Sequence, residues 1–153
     1  MIVYGDTPEL TAKFASWAGA RLALILKEPL TAIGVMRGNE IIAAAIFNNY
    51  QPPNIEITFV SSTPRWATKG AIRAILGYAF TQAQCRRITA ITEATNQPTR
   101  AFLCRLGFRQ EGYHPEIFPV RAGFNGDGVS YGLRARDAAR WLIEETHGRS
   151  RAA

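Results

Sequence analysis

The stretch Ile55–Phe80 reads IEITFVSS (55–62), TPRWATKG (63–70) and AIRAILGYAF (71–80), a strand, a turn and a helix in succession. In the first segment Ile55, Ile57 and Phe59 alternate with Glu56, Thr58 and Val60, the two-residue period of a strand with two differently dressed faces. From Gly70 the period changes: Ile72, Ile75, Leu76, Ala79 and Phe80 fall on one face of a helix. That helix must begin close to Thr68, and its first backbone N–H groups have no partner within it. With the positive end of the helix dipole behind them and Arg65 and Lys69 on either side, these groups make a seat for an anion, such as a phosphate carried by a ligand.

Working outward, a chain of 153 residues is one domain by length, large enough to bury a core without disulfide or metal staples. Hydrophobic residues make up 47% and charged residues 20%, ordinary values for a globular protein. No apolar run approaches the ~18 to 20 residues needed to cross a bilayer, and MIVYGDTPEL shows no basic, apolar leader pattern. Cys85 and Cys104 stand outside any metal-ligand spacing, so the expectation is a cytoplasmic protein without a metal. The net charge of +6, carried by arginine at all but Lys13, Lys27 and Lys69, favours anionic partners: nucleic acid, an acidic protein or a polyphosphate cofactor. The arginines are scattered, which suits solvated faces and cofactor contacts as well as a nucleic-acid surface.

On the N-terminal side, Asp6-Thr7-Pro8-Glu9 opens a helix with Leu10, Phe14 and Trp17 on one face, ending near Gly19 or continuing through Arg21 to Leu26. Thr31–Arg37 and Glu40–Asn49 are apolar runs joined by Gly38-Asn39, a hairpin turn composition. Gln51-Pro52-Pro53-Asn54 breaks the chain before the central strand. On the C-terminal side, Arg87–Thr92 is a short strand. Asn96 or Gln97 caps a second helix with Phe102, Leu103 and Leu106 inward and Gly107 as its stop. An extended segment runs from Phe108 toward Phe118. The turn-rich stretch Arg121–Gly128 precedes a last strand, Val129–Leu133, and a helix around Asp137–Glu144. The expected unit is a single domain over residues 1–145 with a frayed tail over 146–153.

The segment NQPTRAFLCRLGF, Asn96–Phe108, resembles the Asn-x-x-[Ser/Ala/Thr]-x-x-[Phe/Leu]-x-x-[Lys/Arg]-x-Gly-Phe segment of the GNAT acetyltransferase superfamily. Phe80 closing the central helix, Arg86-Arg87 opening the next strand, and Glu111-Gly112 after Leu-Gly-Phe match as well. Together they look most like the branch of ribosomal-protein N-terminal acetyltransferases and small phage-type relatives, over roughly Ile33 to Leu142. The resemblance implies an α/β (α+β) GNAT-like fold: a central twisted, mixed, mostly antiparallel sheet with flanking helices, its strands splayed at the cofactor site. The chain departs from the family in the cofactor turn, usually [Gln/Arg]-x-x-Gly-x-[Gly/Ala]; Arg65-Trp66-Ala67-Thr68-Lys69-Gly70 puts Thr68 where the first glycine is expected. Thr can serve there if its φ is negative.

The resemblance further implies acetyl-CoA as donor substrate, its pyrophosphate on the N–H groups of Trp66, Ala67, Thr68, Lys69, Gly70 and Ala71, and its pantetheine arm paired against Phe59, Val60 and Ser61. Asn96 would contact that arm, with Phe102 beside it, although Asn96 serves equally well as a helix cap. Amide-forming acyl transfer needs a base for the amine, a donor for the developing oxyanion and a proton for the thiolate. Glu56 is the candidate base, desolvated between isoleucines, or else a carboxylate paired with an arginine; the oxyanion donor would be a strand N–H near Val60. Where many family members carry a tyrosine this chain has Leu103, leaving Tyr131, Tyr113 and His114 as stand-ins for the acid. The expected activity is acetylation of a primary amine on a protein or peptide, by a monomer or homodimer. Acetylation of a small amine is one alternative, and a catalytically weak or inactive binding module on the same scaffold, with nucleic acid as a candidate ligand, is the other.

Overall fold

The computed structural model describes residues 1–22 and 25–143. The strands are β1 (Ile2–Tyr4), β2 (Leu30–Arg37), β3 (Glu40–Gln51), β4 (Asn54–Ser61), β5 (Arg87–Glu93), β6 (Arg109–His114) and β7 (Gly128–Arg134). The helices are α1 (Pro8–Gly19), α2 (Lys69–Gly77), α3 (Gln97–Leu106) and α4 (Ala135–Leu142). The strands form one sheet in the order β1-β2-β3-β4-β5-β7-β6, antiparallel except where β4 meets β5. This mixed sheet flanked by helices is the GNAT fold that the sequence suggested.

Both faces of the β2–β4 region are covered, which explains why β3 reads as a nearly unbroken apolar run rather than an alternation. On one face Ile33, Val35, Phe47, Ile55 and Ile57 pack with Ile72, Ile75 and Leu76 of α2, Leu103 and Leu106 of α3, and Ala138 of α4. On the other, Phe14 and Ala18 of α1 close over Ala32, Ala44, Ile46 and Val60. Gly34 makes that approach possible: a Cβ there would lie 2.3 Å from Phe14 Cε1. Thr7 is the cap of α1, accepting from the Leu10 N–H at 3.2 Å, with Pro8 in the first turn.

Gly38-Asn39 turns β2 into β3, with Gly38 at φ +60. Asn96 caps α3, and Gly107 ends it at φ +108, where a side chain would be strained. The first strand, β1, was not legible in MIVYGDTPEL; it forms by pairing Ile2 with Val35 and Tyr4 with Ile33, partners some thirty residues away. Three further boundaries move. The central helix leaves α geometry after Gly77 and finishes in a π turn over Tyr78–Gln82. Strand β6 stops at His114, short of Phe118. Helix α4 starts at Ala135. Glu144 and the expected tail over 146–153 lie outside the described residues, as does part of the possible helical extension from Arg21 to Leu26. Among the described residues no helix is long and apolar enough to cross a membrane.

Candidate active site

Strands β4 and β5 pair only at Asn54–Arg87, Ile55–Ile88 and Glu56–Thr89. Beyond that vertex they part, while β4 stays paired with β3 through Phe59–Ala45, Val60–Ala44 and Ser61–Ala43. From Ile57 to Ser61 one backbone edge of β4 is thus left open inside the sheet, able to take an extended ligand as a strand takes a partner. Phe59, Trp66 and Phe102 come together on the α2 and α3 side of this gap. Their ring centroids are 5.3 Å (Phe59–Phe102), 5.4 Å (Trp66–Phe102) and 5.9 Å (Phe59–Trp66) apart. Trp66 is only 5% exposed, so its side chain is core and only its backbone faces the turn. Val60 points to the opposite face, under α1.

The turn after β4 is tighter than its composition shows. Thr63 caps a 3-10 turn over Pro64–Trp66, its Oγ1 accepting the Arg65 N–H. The Ala67 N–H donates to Pro64 O at 3.3 Å and the Thr68 N–H to Trp66 O at 2.9 Å. Thr68 has φ −74, so a non-glycine residue fits without strain, and its Oγ1 accepts the Ala71 N–H at 3.1 Å as the cap of α2. Within the expected row of anion donors, the N–H groups of Ala67, Thr68 and Ala71 therefore already have partners in the chain. A Cβ at Gly70 would meet nothing within 4 Å, so the flank of the first turn of α2 is open at that residue. Arg65 and Lys69 flank it, and Asn96 Oδ1 accepts the Thr99 N–H at 3.3 Å as the α3 cap.

Glu56 stands at the vertex, opposite Asn48 on one side and Thr89 on the other. Ile55 and Ile57 face the core on the other side of the sheet, so Glu56 is not sandwiched between them and remains half-exposed. Its partner is not an arginine: Asn49 Nδ2 donates to Glu56 Oε2 at 2.6 Å. Asn49 sits at the irregularity between Asn48 and Gln51 with φ +47, a conformation asparagine tolerates and one that re-aims its side chain toward the carboxylate. Beside the vertex Thr89 Oγ1 donates to Asn54 Oδ1 at 2.7 Å. Neither Asn49 nor Thr89 was singled out from sequence; the Asn-Asn pair before Gln51-Pro52-Pro53 was the available signal.

Tyr131 does not join Glu56. It is 1% exposed on the helix-covered face of the sheet, with its hydroxyl accepting from Arg100 Nε at 2.8 Å, and β5 lies between the two residues. Arg100 also donates to Ala94 O at 2.8 Å, so this pair ties α3 to the end of β5. His114 and Ser130 share a hydrogen bond of 2.9 Å across β6 and β7. Tyr113, exposed at the β6 end, donates its hydroxyl to Asp127, whose other oxygen accepts the Glu116 N–H at 3.0 Å. The Tyr113 hydrogen bond, then the Glu116 N–H, holds the Asp127 carboxyl below its ordinary range; the carboxylate in turn pushes the Tyr113 phenol up.

The splayed strand pair, the helix start behind it and the sequence all agree with one family comparison: residues 4–109 match the acetyltransferase (GNAT) domain. The chain belongs to the GNAT acetyltransferase family. No curated protein matches the sequence. Among solved structures this GNAT chain is similar to a mutant form of the spermidine/spermine N-acetyltransferase SpeG from Vibrio cholerae, with a TM-score of 0.70 and 14% identity over 91% of this chain and 96% of that one. It is similar also to the ribosomal-protein-S5-alanine acetyltransferase from Vibrio fischeri (0.59, 18%, 69% of this chain) and to a GNAT-family acetyltransferase from Bacillus anthracis (0.52, 24%, 69% of this chain). The chain spans 61% and 65% of the lengths of those last two proteins. At these identities the likeness is one of fold.

Proposed function

We propose that this GNAT protein is an N-acetyltransferase that takes acetyl-CoA as donor and acetylates a primary amine, with a protein or peptide amine favoured. The observation that carries this reading is the open β4 edge from Ile57 to Ser61, which leads from the start of α2 down to a carboxylate at the vertex. Bound there, acetyl-CoA supplies an activated acetyl group. Phe59 and Ser61 hold the arm of the donor through their backbone, and the first turn of α2 with Arg65 and Lys69 receives its pyrophosphate. Glu56, oriented by Asn49, takes a proton from the incoming ammonium through water, so that the amine lone pair is free to attack. A β4 N–H near Val60 faces the developing oxyanion. Tyr131 in its core position is a poorer proton donor than solvent at the mouth of the cleft.

Two of the similar structures are named for different acceptors, a polyamine in one and a ribosomal protein in the other. A net charge of +6 disfavours a small polycation, which supports the protein or peptide acceptor. The Thr68 cap on Ala71 supports the contrary reading, a scaffold that no longer holds the donor.

Thermal unfolding with acetyl-CoA, free CoA and ATP decides between them. A ligand at about a hundredfold over its Kd adds roughly 2.7 kcal/mol to the folded state. For a domain of this size that is a rise of about 5–10 °C. A rise with the CoA compounds alone supports the donor site; no rise with either overturns it. Turnover with spermidine and with peptides bearing a free N-terminus then separates the acceptors.

A further inference from the structure

At the end of the sheet away from the splayed strands, Pro53, Arg86, Arg87, Arg134, Ala135 and Arg136 line a recess of about 310 Å³. We propose that this recess binds a phosphate group. The inference does not depend on the acetyltransferase reading, and the recess is separate from the α2 turn. Strand β4 runs from Asn54, beside Arg87, to Ser61, roughly 23 Å at ~3.3 Å per residue.

Charge is concentrated here against the interest of the fold. Arg87 and Arg134 stand directly opposite each other in the β5–β7 pair, and like charges so placed repel. Arg87 Nη2 donates to Glu111, but its Nε is buried without an acceptor among the described residues. Arg136 reaches Asp137 only at 3.9 Å, and Asp137 is shared with Arg109 at 3.6 Å. Four arginines thus line one recess, and among the described residues Glu111, paired with Arg87, and Asp137, at 3.9 Å from Arg136, are the carboxylates these arginines reach.

The backbone adds to this field. Ala135 begins α4, its N–H donating to Arg86 O at 3.0 Å, and Arg134 gives that helix no side-chain cap. The positive end of the helix dipole is therefore turned toward the same recess. Guanidinium forks match phosphate oxygens two at a time, and a bound anion would relieve the repulsion between Arg87 and Arg134. Phosphate can come free or as the backbone of a nucleic acid, and arginines of this kind suit both.

The probes are inorganic pyrophosphate and a single-stranded RNA oligomer, measured at low salt by thermal shift and calorimetry on the wild type, Arg86→Glu and Arg134→Glu. Pyrophosphate should stabilise the wild type, and each substitution should weaken it at least about tenfold while leaving any response to acetyl-CoA in place. Arg134→Glu should not lower the melting temperature of the free protein, because it replaces a repulsive cross-strand pair with an attractive one; this separates lost binding from lost folding. If RNA also binds, with a salt dependence whose slope falls by about one for each arginine removed, the phosphate is that of a nucleic acid. If pyrophosphate alone binds, the site takes free phosphate. The proposal is overturned if neither probe binds the wild type, if binding persists unchanged in both variants, or if poly-glutamate binds as tightly and is lost with the same substitutions.

Discussion

Removing the hydroxyl of Thr68 should make the free protein weaker and the donor tighter. The Thr68 Oγ1 accepts the Ala71 N–H at 3.1 Å, a helix cap whose loss on substitution by alanine costs about 1 kcal/mol. In a domain of this size that lowers the melting temperature by about 2–4 °C. If the donor's pyrophosphate takes over the Ala71 N–H, the wild type gives up the cap every time it binds, and Thr68→Ala has no cap to give up. The same ~1 kcal/mol then reappears in binding with the opposite sign, about fivefold in Kd. Calorimetric titration of acetyl-CoA and CoA into both proteins, alongside their unfolding curves, measures the two quantities independently. Thr68→Ser should keep both the cap and the wild-type affinity. A lower melting temperature joined to unchanged or weaker binding in Thr68→Ala would refute the reasoning, because it would mean that the hydroxyl helps to hold the ligand or lies away from it.

Glu56→Gln should lower kcat by about a hundredfold or more while leaving the Kd for acetyl-CoA unchanged, as expected when a general base is lost but the donor site is not; equal turnover across the pH range would take Glu56 out of the mechanism. Gly34→Ala should destabilise by about 1–3 kcal/mol, since the added methyl would sit 2.3 Å from Phe14 Cε1. Pairing it with Phe14→Leu should recover part of that loss in a double-mutant cycle, and strictly additive losses would show that the clash is absorbed elsewhere. Asp127 has a carboxyl held low by Tyr113, so its contribution to stability is present above the ordinary carboxylate range and fades as pH falls through the lowered value. Asp127→Asn should therefore show a shallower loss of melting temperature below about pH 4 than the wild type; parallel acid limbs would argue against the coupling.

The local signals in the sequence carried most of the architecture. The switch from period two to the helical period around Thr68, the helix openings at Asp6-Thr7 and Asn96-Gln97, and the stop at Gly107 are near-neighbour features that held, the structure choosing Thr7 and Asn96 as the caps. The segment Asn96–Phe108 likewise pointed to the GNAT family, which the family comparison shows. The resemblance named Glu56 as a place to look, and the bare helix start of the α2 turn was visible without coordinates.

What the sequence could not supply is everything that depends on which strands become neighbours. The parting of β4 from β5 after Glu56, the Asn49 amide turned back onto that carboxylate, and the burial of Tyr131 against Arg100 depend on contacts between residues 7 to 33 positions apart. The short strand β1 has no period of its own to read and exists only because β2 offers it an edge. Thr68 shows the same division at a single residue: its identity and its fit to a negative φ could be argued from the chain. That its hydroxyl already occupies an N–H expected to receive the donor was decided by how the turn over Pro64–Thr68 closes. Periodicity and caps are properties of a few adjacent residues, whereas a site is set by long-range register, which one-dimensional patterns do not fix.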